Sequence, residues 1–229
     1  MAEIPRGTTK KNLGLSMIKA VIFDIDGVLL DSFEANLKFF QDLMIKFGYP
    51  PPSRQEFPEI FHLTMLNAVK KLTGLTDETE IKKIWDAGRH REIPYQKDLL
   101  KVPEGVEEVI KKLSARYSLG IVTSRVRESI YEAPQMAQLQ KYFKVEISAY
   151  DTDKHKPDPE PLLLCAERLG VHPTECVYIG DVKNDVLSAK AARMRIIVYS
   201  KNQIAGASYC TSLFREIPKI LEGLEFKVS

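Results

Sequence analysis

Apolar residues fall in short unbroken runs, separated by stretches in which they recur every three or four positions. The runs are "KAVIFD" (19–24), "LGIVTS" (119–124), "KVEISA" (144–149), "CVYIGD" (176–181) and "RIIVYS" (195–200). A continuous run of this length reads as a strand covered on both faces, as in a parallel sheet. Between them, "PEGVEEVIKKLSARY" places Val106, Val109, Ile110 and Leu113 on one helical face. "DPEPLLLCAERLG" offers Asp158 as an N-cap, Pro159 at the first helical position and Gly170 after the last turn. "NDVLSAKAA" is rich in small residues suited to close packing on a sheet, and "REIPKILEGL" reads as a closing helix with Pro218 near its start. Strands alternating with helices predict an α/β fold built on a parallel sheet.

One stretch departs from this alternation. From about 32 to 99 the pattern is helical throughout. "DSFEANLKFFQDLMIKFG" puts Phe33, Leu37, Phe40, Met44 and Phe47 on one stripe, opens on an Asp31/Glu34 capping pair and stops at Gly48. "YPPPSRQEFP" is a turn region, and shorter helices are predicted over 55–72 and 77–91. The expected organisation is therefore a flexible N-terminal extension (1–18), an α/β core (19–31 and 100–229) and an all-helical insertion (32–99).

The totals exclude several classes. The chain has 229 residues with 44% hydrophobic and 28% charged, ordinary for a globular protein. A formal net charge of +2 gives no field for coating nucleic acid, so no nucleic-acid partner is expected. No window approaches the ~18 apolar residues of a membrane span. The N-terminal "MAEIPRGTTKKNLGLSM" lacks the apolar centre of a signal peptide. Cys165, Cys176 and Cys210 are odd in number and show no metal-site spacing, which fits a reducing, cytoplasmic setting. His62, His90, His155 and His172 show no ligand spacing either. Monomer and homodimer both remain open.

The chemistry sits at the ends of the apolar runs. In "VIFDIDGVLL", Asp24 and Asp26 are two positions apart, so an extended chain points both to one side, and Gly27 permits a tight turn. "IGDVKND" ends another run and adds Asp181 and Asp185. In open α/β sheets ligands bind beyond the carboxyl ends of the strands. If the two strands are neighbours, four carboxylates converge there. Such a cluster needs a cation, and an all-oxygen set favours a hard ion, Mg²⁺ first. "IVTSR" offers the Thr123 hydroxyl, and "DKHKPDPEP" offers Lys156 just before a proline. Metal, ammonium and hydroxyl together suit a phosphoryl group. One carboxylate can attack phosphorus while its partner serves as acid and then base. Asp185 has a second reading, as a cap of the following helix, and Arg125 is either a substrate contact or a surface arginine.

In this order, "DIDGV", "IVTS", "KPDPEP" and "GDVKND" resemble the four motifs of the haloacid dehalogenase-like superfamily, over about 20 to 220. The resemblance implies a Rossmann-like core with strand order 3-2-1-4-5 and a helical cap over the site. It implies Asp24 as the nucleophile and Asp26 as the acid/base, whose backbone carbonyl also faces the metal. It implies Thr123 and Lys156 as phosphate holders, with the amides of Gly27 and Ser124 assisting. Asp181 is implied as a metal ligand, and Asp185 as a direct or water-mediated one. Members with dehalogenase or phosphonatase activity lack the second aspartate, so Asp26 points to phosphate esters. Mutase-like members often carry histidine where this chain has Ala35 and Asn36. The expected activity is thus a Mg²⁺-dependent phosphatase acting on a small phosphorylated metabolite, similar to phosphoglycolate phosphatase. A β-phosphoglucomutase-like mutase and a non-catalytic binding module are the alternatives. The chain departs from the family pattern at "FPEIFHLTM" (57–65), which lacks a glycine, and at His155 and Arg193, where relatives often have one.

Overall fold

The computed structural model describes residues 17–226; the expected N-terminal extension lies mostly outside them, and the core begins at Ile18, which is already buried. The apolar runs become β1 (Ala20–Phe23), β2 (Ser118–Val122), β3 (Phe143–Ile147), β4 (Cys176–Gly180) and β5 (Arg195–Tyr199). All pair in parallel in the order 3-2-1-4-5, extended by β6 (Tyr209–Thr211) beside β5. This is a Rossmann-like sheet of six strands, one more than the apolar runs indicate.

β1 lies at the centre because both its faces are apolar. Val21 and Phe23 point into one core cluster, Ala20 and Ile22 into the other, and all four are fully buried. A fully buried residue the size of Phe23 contributes about 1.5–3 kcal/mol. The first layer is closed by α4 (Val106–Ser114), the short α5 (Pro134–Ala137) and α8 (Ile217–Phe226). The second is closed by α6 (Glu160–Leu169) and α7 (Lys183–Ala191). Proline occupies the N-cap of α6, one position from expectation, while the Asp158 carboxylate still accepts the amide of Glu160 at 3.0 Å.

Between β1 and α4 the described chain is helical: α1 (Phe33–Lys46), α2 (Met65–Thr73) and α3 (Glu78–Arg89). These helices share a third apolar cluster of their own, with Leu43, Met44, Phe57, Ile81 and Ile84 at its centre. The helical stretch expected over 55–72 divides into a 3₁₀ turn at Phe57–Glu59 and α2, where Thr64 caps α2 by accepting from the Asn67 amide. The Asp31/Glu34 capping pair does not form. Ser32 stands at the N-cap of α1 without a side-chain cap bond, and Glu34 pairs with Arg54. Both ends of the insertion leave the core side by side, where Asp31 and Lys101 exchange two backbone hydrogen bonds of 2.7 and 3.0 Å.

After α7, Arg193 adopts φ 58°, the left-handed backbone that glycine takes without strain. Its amide reaches the Lys190 carbonyl and that of Met194 the Ala189 carbonyl, closing the helix end. The side chain is exposed. Arg193→Gly is expected to stabilise the fold by about 0.5–1 kcal/mol in a urea titration; a loss of stability would contradict the strain argument.

Candidate active site

The sheet register decides where the acidic residues emerge. Phe23 pairs with Ile121 on one side and Ile179 on the other, so the chain beyond Phe23 leaves the sheet between the ends of β2 and β4. Asp24 is held there by its amide, which donates to the Ile179 carbonyl at 2.9 Å. Asp181 follows β4 directly. The turn after β1 needs Gly27, whose φ is +80° and whose added Cβ would fall 2.0 Å from an Asp181 carboxylate oxygen. Gly180 has a similar role: a Cβ there would fall 2.4 Å from Cβ of Asp185. These two glycines let the Asp24, Asp181 and Asp185 carboxylates share one small space.

Lys156 supplies the one ammonium among them. Its Nζ lies 2.7 Å from Asp24 Oδ2 and 2.8 Å from Asp185 Oδ1, and it donates to the Tyr178 hydroxyl at 2.9 Å. Tyr178 in turn donates to Asp185 Oδ1 at 3.1 Å. Asp185 Oδ2 accepts the amides of Asp181 (3.0 Å) and Val182 (3.2 Å), so this carboxylate also fastens the start of α7, as the capping alternative anticipates. Asp185 is fully buried.

The electrostatics follow from these partners. Burial pushes the Asp24 carboxyl up to about 7 against the pull of Lys156, with Asp185 adding to the rise. Burial, then Asp185 and Asp24, hold Asp181 well above the carboxylate range. For Asp185 burial opposes ionisation, but Lys156 and two amides outweigh it and its carboxyl falls below the usual value. Burial alone would discharge Lys156; Asp185 and Asp24 reverse this and raise it. Asp181 Oδ1 is buried with no hydrogen-bond partner. Oxygens of Asp24, Asp181 and Asp185 lie within 4.8 Å of one another. Three carboxylates, one of them with an orphaned buried oxygen, are a donor set that fits a hard divalent cation.

Asp26 faces a different set. Arg125 grips it in a fork, with Nε 2.9 Å from Oδ2 and Nη2 2.7 Å from Oδ1. Burial opposes ionisation of Asp26, yet the Arg125 charge and the Ser32 hydroxyl overcome it and lower its carboxyl. The grip belongs to a closed ring of hydrogen bonds. Ser32 donates to Asp26, Asn36 to Ser32 (3.2 Å), Tyr95 to Asn36 (3.0 Å) and Arg125 to Tyr95 (3.5 Å). Arg125 is thus buried and engaged, which settles the choice against a surface arginine. Thr123, at the end of β2, is buried, and its hydroxyl accepts the Arg125 amide at 3.2 Å. Ser124 faces open space beside Asp24 and Asp26.

Two cavities meet at this point. A small one of about 20 Å³ touches Asp24, Asp26, His62, Ser124, Lys156 and Asp185. A larger one of about 240 Å³ lies between the insertion and the core. Asp26, Phe61 and Ser124 line both, so the two are neighbours across these side chains. His155 borders the larger cavity. Sequence reasoning missed Tyr178, Ser32 and Tyr95. A signal existed for Tyr178 alone: a hydroxyl in a fully apolar central strand must find a buried partner.

Fold and site together define a hydrolase class, and the chain belongs to the haloacid dehalogenase-like hydrolase family, whose sequence model matches residues 21–199. A pyrophosphatase PpaX from Bacillus pumilus is 31% identical over 180 residues, covering 77% of this chain and 81% of that protein. A HAD-superfamily hydrolase of subfamily IA, variant 1, from Geobacter sulfurreducens superposes with a TM-score of 0.69 at 33% identity, over 89% of this chain and 99% of the other. A β-phosphoglucomutase from Clostridium difficile shares the fold, with a TM-score of 0.75 at 19% identity over 93% and 100%.

Tyr178→Phe removes the hydroxyl that serves both Lys156 and Asp185. The metal-free variant is expected to lose about 1–3 kcal/mol in a urea titration. A change below about 0.5 kcal/mol would mean that the two ions do not depend on it.

Proposed function

We propose that this chain is a Mg²⁺-dependent phosphatase that hydrolyses a small phosphomonoester through an aspartyl phosphate on Asp24. One observation carries the reading: Asp24 lies in a small chamber against Lys156, and that chamber shares Asp26, Phe61 and Ser124 as walls with a larger neighbouring cavity. A carboxylate oxygen of Asp24 attacks phosphorus, and the ester P–O bond breaks with its electron pair going to the leaving oxygen. Asp26 is the acid that gives that oxygen a proton, and to carry it the carboxyl must first leave the Arg125 fork that keeps it ionised. A water then attacks the acyl phosphate, Asp26 takes its proton, and the Asp24 carboxylate and inorganic phosphate are released. Lys156 and the Ser124 amide stabilise the phosphoryl oxygens, and Thr123 supports the loop that presents Ser124. Asp24, Asp181, Asp185 and the Asp26 carbonyl are the groups that would hold Mg²⁺. When bound, the ion neutralises the carboxylates and polarises a phosphoryl oxygen.

The insertion, on this reading, is a cap hinged where Asp31 and Lys101 run side by side. The free cysteines, two of them buried, and the absence among the described residues of any helix long and apolar enough to cross a membrane fit a cytoplasmic enzyme. Pyrophosphate is a second candidate substrate, favoured by the similarity to the PpaX pyrophosphatase. A mutase is favoured by the fold alone, and no histidine stands in the first turns of α1 to support it.

Asp24→Asn keeps the shape and removes the nucleophile, so turnover of p-nitrophenyl phosphate should fall about a thousand-fold or more while the far-UV dichroism stays native. Normal turnover by this variant would refute the assignment. Mg²⁺ at a hundred times its Kd should stabilise the protein by about 2.7 kcal/mol, and a chelator should reverse this. A melting temperature indifferent to Mg²⁺ and chelator would remove the metal from the site.

A further inference from the structure

Resting on the phosphatase reading, we infer that the substrate is a phosphomonoester whose alcohol carries an unsaturated ring and a hydrogen-bond donor, the size and chemistry of a nucleoside monophosphate. The argument begins with volume. The leaving-group cavity holds about 240 Å³ against about 20 Å³ for the chamber at Asp24. It lies just below the ~300 Å³ at which pockets take drug-sized ligands. A glycolate or a second phosphate would leave most of that space filled with water against apolar walls.

The apolar part of those walls includes Phe39, Phe61, Leu63, Trp85 and Ile93. A doubly charged inorganic phosphate gains nothing from them and loses its hydration. A flat, weakly polar ring gains apolar burial and stacking. Arg89 adds a guanidinium that already lies against two aromatic rings set edge to face, 5.2 Å from the Trp85 ring centre and 5.4 Å from that of Tyr150. All three residues line the cavity.

A polar group at the same cavity points to the donor. The Glu132 side chain is only 4% exposed. Its Oε1 is 2.8 Å from Arg91 Nη1 and 3.3 Å from Lys97 Nζ, so its charge is balanced. Yet the alignment is poor, and Oε1 accepts no hydrogen bond. A carboxylate at the wall of a ligand cavity, held there by two cations, suits an N–H or O–H of the ligand, such as a base amino group or a ribose hydroxyl. Nucleoside monophosphate and water would then give nucleoside and inorganic phosphate through the two displacement steps at Asp24.

The test is a comparison of kcat/KM with Mg²⁺ for the four common ribonucleoside 5′-monophosphates, 2-phosphoglycolate, pyrophosphate and acetyl phosphate. At least one nucleotide should exceed phosphoglycolate and pyrophosphate about a hundred-fold. Trp85→Ala and Glu132→Gln should each lower the ratio of nucleotide to acetyl phosphate turnover about ten-fold. The ratio cancels any general loss of folded enzyme. A compact substrate that matches or beats every nucleotide, or a ratio that neither variant moves, would overturn the inference. Acetyl phosphate separates the two levels: its turnover without nucleotide preference defeats the substrate class alone, and no turnover of any compound defeats the phosphatase reading with it.

Discussion

The Lys156 ammonium, 2.7 Å from Asp24 and 2.8 Å from Asp185, is the interaction on which the rest of the structure depends. All three side chains are almost wholly removed from water. Each would be costly to bury alone, and removing one partner of a buried pair typically costs several kcal/mol. Asp181 then stands as a further carboxylate with no cation of its own and an oxygen without a donor. The protein therefore folds around a deficit of positive charge. On the proposed reading a divalent cation answers that deficit, and with its charge in place the anionic phosphoryl group could approach Asp24.

A second arrangement ties this centre to the helical insertion. Asp26 and Arg125 belong to the core, whereas Ser32, Asn36 and Tyr95 lie on the insertion and its return. Five side chains close one ring of hydrogen bonds across the boundary. The acid/base candidate is thus positioned partly by the element that walls the leaving-group cavity. Movement of the insertion and the orientation of Asp26 are coupled through this ring, since neither can shift without breaking bonds to the other. The same insertion carries Phe39, Leu63 and Trp85, so on the proposed reading one structural unit would set both the room for the leaving group and the position of the acid.

Much of this was legible in the residues. The inner strands appear as apolar runs because a parallel strand is covered on both faces, whereas β3, at the sheet edge, alternates through Lys144 and Glu146; the strand ends name Asp24, Asp26, Thr123, Asp181 and Asp185 directly. At Arg193 only a departure in the turn after the helix was legible, from the resemblance; its left-handed backbone is a finding of the structure. The sixth strand was not legible: β6 is three residues long with Tyr209 and Cys210 half-buried, too short and too mixed to show a period. Nor was the ring around Asp26, since Tyr95 meets Asn36 across 59 positions and Arg125 meets Asp26 across 99. Local pattern carries no information at that distance. The split role of Asp185, ion partner and helix clasp at once, was visible only as two alternatives, because one residue satisfies both with different oxygens.

The most direct measurement is the mass of the intact protein after acid quench during turnover of acetyl phosphate with Mg²⁺. The expected result is a species heavier by one phosphoryl group, with the modification on the peptide containing Asp24. Turnover with no such species at any quench time, or a phosphoryl group mapped to another residue, would contradict the role of the charge-deficient cluster.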